Sequence, residues 1–182
     1  VVDTTNGFHP RDLLPAIKGV TQDDMPGYLS LVPTQLVQCL DADEEVLAAL
    51  RSLSAILVGG AAISNHLLER ALNAGLKVRV TYGMTETAGG CVYDGEPMPG
   101  ITVRAVDWDG RTRLAFNGPT LMTRYLDADS PFFEEGGQRW MVSGDMGVIR
   151  ASGKVEVSGR ADDVIISGGL SIAPGPLRRA LR

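Results

Sequence analysis

Ala55-Ile56-Leu57-Val58 is an unbroken apolar run that passes directly into Gly59-Gly60, and no other feature narrows the fold as much. Four consecutive apolar residues cannot alternate between core and water, so they read as a strand buried on both faces, as in parallel sheets covered by helices. Residues 64 to 82 complete the unit. Ser64 is a good N-cap, Leu67, Leu68, Ala71 and Leu72 share one face of the ensuing helix, and Gly75 stops it. Val78, Val80 and Tyr82 then alternate as the next strand. Strand, helix and strand in this order predict a βαβ unit, whose ligands bind beyond the carboxyl ends of its strands. Gly59-Gly60-Ala61 and the run that begins at Tyr82 both sit at such ends.

The flanking sequence extends the pattern. Residues 10 to 19 read as a short helix with Leu13, Leu14 and Ile17 at helical spacing, and Tyr28 to Val32 reads as a strand. Pro33 opens a helix carrying Leu36, Val37 and Leu40. The acidic Asp43-Glu44-Glu45 suits the positive end of another, carrying Val46, Leu47, Leu50 and Leu53. Near Pro97-Met98-Pro99-Gly100 the character changes to short alternating segments separated by Asp109-Gly110, Gly136-Gly137 and Ser152-Gly153. Residues 101–104 and 113–116 pair as a hairpin across Asp109-Gly110, and Val148-Ile149 pairs with residues 155–157 across Ser152-Gly153. The predicted fold class is therefore α/β: a parallel-sheet part, then a small β barrel or meander. After Pro174 a last helix begins.

Composition removes several classes of function. A chain of 182 residues with 44% hydrophobic side chains has enough apolar material for a core, and disorder is not expected. The net charge of −5 offers no positive field for polynucleotide. Cys39 and Cys91 lack metal-ligand spacing, and with two histidines, His9 and His66, there is neither a zinc cluster nor a disulfide framework. A reducing cytoplasm fits this cysteine usage best. No apolar stretch reaches the length of a membrane span.

Three glycine-flanked groups carry the chemistry. Tyr82-Gly83-Met84-Thr85-Glu86-Thr87 sets a hydroxyl and a carboxylate behind what reads as a glycine turn closing the strand, a place to hold phosphate and metal. Taken singly, it also fits a strand-to-helix turn with Glu86 in a first helical turn. Asp145, in Ser143-Gly144-Asp145, follows apolar Trp140-Met141-Val142 and is expected at a strand end, where one carboxylate could accept both hydroxyls of a ribose. An aspartate in an ordinary turn fits equally. Gly159-Arg160-Ala161-Asp162-Asp163 adds a guanidinium, which alone would pass for a surface arginine.

Together, Gly59-Gly60-Ala61, the Tyr82 run, Ser143-Gly144-Asp145 and Gly159 to Asp163 resemble, in kind and order, the motifs of the adenylate-forming superfamily of acyl- and aryl-CoA ligases. The resemblance covers roughly residues 30 to 175. It implies an α/β subdomain over 1–99, a β subdomain over 100–160, and over 161–182 a hinge at Asp162 with the start of a small C-terminal domain. It also implies ATP, Mg²⁺ and CoA. Thr85 would contact the α-phosphate, Glu86 would hold Mg²⁺, and the Tyr82 ring would lie against adenine, with Gly83 in the same loop. Asp145 would take the ribose, Arg160 the ribose and phosphate region, and Gly59, Gly60 and Ala61 would lie along the adenine and the carboxylate substrate. Gly168 and Gly169 would approach the pantetheine arm of CoA.

Ser30 to Thr34, the run from Ile165 to Pro174, and the compact spacing between Tyr82 and Asp145 resemble the o-succinylbenzoate-CoA ligase branch, which implies an aromatic carboxylate as the small-molecule partner. A fatty-acyl or other aryl substrate, or a fragment that binds AMP without turning it over, are the alternatives. The family's phosphate-wrapping loop and its C-terminal catalytic lysine are not found in these 182 residues, so the chain reads as a piece of a longer enzyme. Ser143 stands where threonine is usual. Homo-oligomerisation is left open.

Overall fold

The computed structural model describes residues 7–21, 25–163, 165–167 and 170–172. Gly168, Gly169 and the expected final helix after Pro174 lie outside them. The chain divides into two compact units, the first ending at Val80 and the second beginning at Thr81.

In the first unit a 3₁₀ turn over Pro10–Asp12 leads into α1 (Leu13–Val20), followed by β1 (Tyr28–Leu31), α2 (Pro33–Leu40), α3 (Glu44–Ser52), β2 (Ala55–Val58), α4 (Asn65–Asn73) and the opening of β3 (Val78–Met84). Local chemistry sets these boundaries. The Asp43 carboxylate accepts the Val46 amide and the Ser64 hydroxyl accepts that of Leu67, so α3 and α4 each start on a side-chain cap. β1 and β2 pair in parallel with Leu31 opposite Val58, and β2 pairs in parallel with β3 with Val58 opposite Val80. The βαβ expectation holds. Leu31, Leu36, Cys39, Val46, Leu50, Leu53, Ile56 and Val58 form the centre of the core, all nearly or wholly excluded from water. At about 25 cal/mol per Å² of apolar surface, burying each large aliphatic side chain contributes about 1.5–3 kcal/mol before entropy is counted. Two expectations fail here. Leu72 is 52% exposed, because the helix turns Leu67 and Ala71 inward and carries Leu72 round to water. Val32 lies outside β1, where its extended backbone forms the N-cap position of α2.

The second unit is antiparallel. The end of β3 pairs with β4 (Gly89–Tyr93), and β4 with β5 (Glu96–Pro97). A further sheet runs β10-β9-β7-β6, built from β6 (Thr102–Trp108), β7 (Arg111–Asn117), β9 (Gln138–Ile149) and β10 (Val155–Arg160), with β8 (Phe132–Glu135) also paired to β9. Both expected hairpins form, with Val103 opposite Phe116 and Ile149 opposite Val155. β11 (Ile165–Ser167) pairs with β12 (Leu170–Ile172). Phe116, Leu114, Met141, Cys91 and Val92 lie at the core of this unit.

Candidate functional site

Within the second unit the site grows from two irregularities in strand pairing. The first is between Tyr82 and Gly83. Tyr82 faces Val92 but Gly83 faces Gly90, so β4 carries one extra residue there, a bulge of the kind that re-aims a side chain. Gly83 is not the turn the sequence reading expected. It lies inside β3, and a Cβ on it would stand 1.9 Å from the Gly89 carbonyl oxygen, so glycine is required by close backbone approach. The turn comes one step later, as a 3₁₀ turn over Thr85–Thr87 ended by Ala88 in the left-handed region at φ 56°. Buried Thr87 pins it: its hydroxyl accepts the Met84 amide at 3.0 Å and donates to the Gly89 carbonyl at 2.8 Å. Thr85 is thereby left exposed and Glu86 half-buried.

The second irregularity is at Ser143-Gly144-Asp145. Between the pairs Arg113–Met146 and Ala115–Val142, β9 runs through more residues than β7, while on its other side Arg160 of β10 pairs with Asp145. Asp145 therefore lies inside the strand that spans Gln138–Ile149, not at a strand end, and the bulge supplies the reorientation that a terminus would have given. Ser143 is buried, and its hydroxyl accepts the Asp145 amide at 3.1 Å.

These segments bring four of the expected residues into one chain of contacts. The Tyr82 hydroxyl donates to Asp145 Oδ2 at 2.6 Å, and its ring stacks on Phe116 with centroids 5.8 Å apart. Burial, reinforced by the hydrogen bond to Asp145, pushes the Tyr82 phenol well above the usual tyrosine range, so it stays a donor. Arg160 Nε lies 3.8 Å from Asp145 Oδ1, and Arg160 Nη2 lies 3.7 Å from Asp162. The guanidinium rests over Gly144, where a Cβ would meet Nη2 at 2.8 Å. Asp145 is only 15% exposed and Arg160 57%, so a half-buried acceptor is presented beside a cation reachable from water. Glu86 is held by a residue that sequence reasoning missed: the Tyr125 hydroxyl donates to Glu86 Oε1 at 2.6 Å. That hydrogen bond raises the Tyr125 phenol, while the positive charge of Arg160 acts on it in the opposite sense, so the two pairs lie in one electrostatic neighbourhood. No motif flags Tyr125, since the partners are 39 residues apart.

Gly59, Gly60 and Ala61 lie in the first unit, directly after β2, with the Gly59 amide donating to the Leu31 carbonyl at 3.2 Å. Asp162 is an exposed turn residue after β10. Among the described residues no group of three or more His, Cys, Asp or Glu side chains could hold a metal ion. A shallow depression of about 390 Å³ beside Arg104, Trp108, Phe133 and Glu135 involves none of these residues. No helix among the described residues is long and apolar enough to cross a membrane.

Residues 4–126 match the family described as AMP-binding enzyme. A probable 2-succinylbenzoate–CoA ligase of Mycobacterium tuberculosis is 39% identical over 184 residues, which cover 99% of this chain and 46% of that protein. The 2-succinylbenzoate–CoA ligase of Escherichia coli is 32% identical over 162 residues, 85% of this chain and 34% of its own length. The chain thus spans about half the length, or less, of the curated relatives it matches. Among solved structures, o-succinylbenzoate CoA synthetase of Bacillus subtilis with the acyl-adenylate OSB-AMP matches at a TM-score of 0.77 and 27% identity, over 96% of this chain and 38% of that one. The same enzyme with ATP and magnesium matches at 0.73 and 27%, over 92% and 38%.

Proposed function

From the premise that the chain belongs to the AMP-binding enzyme family, we propose that the natural protein carrying it joins o-succinylbenzoate to CoA through an acyl-adenylate. The substrate carboxylate attacks the α-phosphorus of ATP and pyrophosphate leaves. The CoA thiolate then adds to the activated carbonyl, and AMP leaves with the electron pair of the broken C–O bond. The choice of o-succinylbenzoate is supported by the succinylbenzoate ligases among the relatives and by the Bacillus subtilis structures.

The observation that carries the reading is the chain of contacts Tyr82, Asp145 and Arg160, with Glu86 and Tyr125 beside it, drawn from segments distant in sequence. In this reading Asp145 accepts the ribose hydroxyls, Tyr82 offers its ring to adenine, and Arg160 neutralises charge between ribose and phosphate. Gly83 shapes the strand that presents them. Thr85 donates to the α-phosphate. Mg²⁺ is held through one or two carboxylates plus substrate phosphates, and Glu86 beside Thr85 fits that donor set. When bound, the ion neutralises phosphate charge as it builds on transfer. For Gly59, Gly60 and Ala61 we keep the adenine-side backbone role, for Gly168 and Gly169 the pantetheine side, and for Asp162 the hinge between subdomains 1–99 and 100–160 and the segment from 161.

Pyrophosphate release by the full natural chain, compared across o-succinylbenzoate, benzoates and fatty acids, tests the reading. A preference for o-succinylbenzoate is expected; a preference for a fatty acid would move the assignment to another branch, and no response to any acid would remove it. Calorimetry with AMP against Asp145→Ala tests the site itself, with affinity expected to fall at least about tenfold, as for a lost charge-assisted hydrogen bond.

A further inference from the structure

The geometry points to Tyr125 as a positioning residue for Glu86, a strap that fixes the carboxylate for a nucleotide-borne divalent cation. The inference rests on the proposal that Glu86 holds Mg²⁺, and it adds a residue that no motif contains.

Glu86 is the middle residue of a three-residue 3₁₀ turn, a short element with little rigidity of its own. The segment 122–125 grips it twice. The Met122 amide donates to the Glu86 carbonyl at 2.8 Å, and the Tyr125 hydroxyl donates to the Glu86 carboxylate at 2.6 Å. That segment is itself anchored. Arg139 of β9 donates to the carbonyls of Met122, at 3.1 Å, and of Thr123, and its guanidinium lies 3.4 Å from the Phe132 ring centroid. Beyond Tyr125, its own amide donates to Ser130 Oγ at 2.8 Å, which closes the loop behind it. Hydrogen bonds from β9 to residues 122 and 123, and two steps of backbone on to Tyr125, therefore tie the sheet to one oxygen of Glu86. The phenol holds Oε1 in place and leaves Oε2 as an acceptor for a cation. A glutamate on a short turn without this bond must be ordered by the ion itself, at a cost in affinity.

The test uses the full natural chain and reads binding, not turnover. Mn²⁺ is titrated in the presence of a non-hydrolysable ATP analogue, and free Mn²⁺ is followed by its electron paramagnetic resonance signal. Wild type is compared with Glu86→Gln, Tyr125→Phe and the double variant. Glu86→Gln is expected to raise the Mn²⁺ midpoint, Tyr125→Phe to raise it about tenfold, and the double variant to sit with Glu86→Gln, because the phenol acts only through that carboxylate. If Glu86→Gln leaves the midpoint unmoved, Glu86 is not a metal ligand and both readings fall. If Glu86→Gln raises it while Tyr125→Phe leaves it unchanged or lower, the metal reading stands and the strap is overturned. An additive loss in the double variant also overturns the strap, since Tyr125 would then act elsewhere.

Discussion

At the scale of single residues, Gly83 and Tyr82 are neighbours with opposite demands. Any side chain at Gly83 would collide with the backbone of β4 at Gly89, which cannot swing aside as a side chain can. Gly83→Ala should therefore cost at least about 2 kcal/mol, at the upper part of the range for overpacking, seen as a lower denaturant midpoint by circular dichroism; an unchanged midpoint would contradict the close approach. Tyr82 matters through its proton. Its folded pKa lies above the unfolded value of about 10, so the stability it contributes is fully present below about pH 10 and is lost as pH rises beyond. Urea melts of wild type and Tyr82→Phe should keep a constant gap from pH 6 to about 9, and the gap should narrow above about pH 10. A gap that stays constant to pH 11 would mean that the phenol is not held neutral by the fold.

Among the elements, the bulge in β9 decides how the acid and the guanidinium meet. Gly144 lies under Arg160, but here the obstacle to a Cβ is the far end of a flexible side chain. Gly144→Ala should accordingly cost less than about 1 kcal/mol in stability while displacing Arg160, so AMP affinity by calorimetry should fall about tenfold. A large loss of stability with unchanged affinity would reverse that assignment. The same bulge marks the limit of what local sequence reveals. Helices α2, α3 and α4 are legible because Pro33, Asp43 and Ser64 state their beginnings locally, and β2 because four apolar residues in a row admit few other readings. Asp145 and Arg160 are legible as motif members, but their setting is not. A bulge depends on which residues two strands place opposite each other, a long-range property that no window of sequence contains. For the same reason local sequence puts the turn at Gly83 and not at Thr85, and passes over Tyr125.

In the whole molecule, among the described residues, the main core of the first unit gathers around Leu36, Leu50 and Ile56 and that of the second around Phe116, Leu114 and Met141, with a smaller cluster around Trp140. Its acidic balance of −5 leaves any attraction for a nucleotide to local groups, and if the proposed site is right and Arg160 is its cation, added salt should weaken AMP binding by no more than a single partly exposed cation permits. Each of the two main cores also contains one cysteine. Cys39 is fully excluded from solvent in the first unit and Cys91 is 1% exposed in the second, and burial raises both thiols, Cys39 to about 11. Neither can be alkylated at neutral pH until its surroundings open. Iodoacetamide pulses at rising urea, read by peptide mass spectrometry, should therefore time the opening of each unit separately, and rapid modification of either thiol without denaturant would show its core to be breached. The chain thus contains its own pair of clocks, one in each half, requiring no engineered probe.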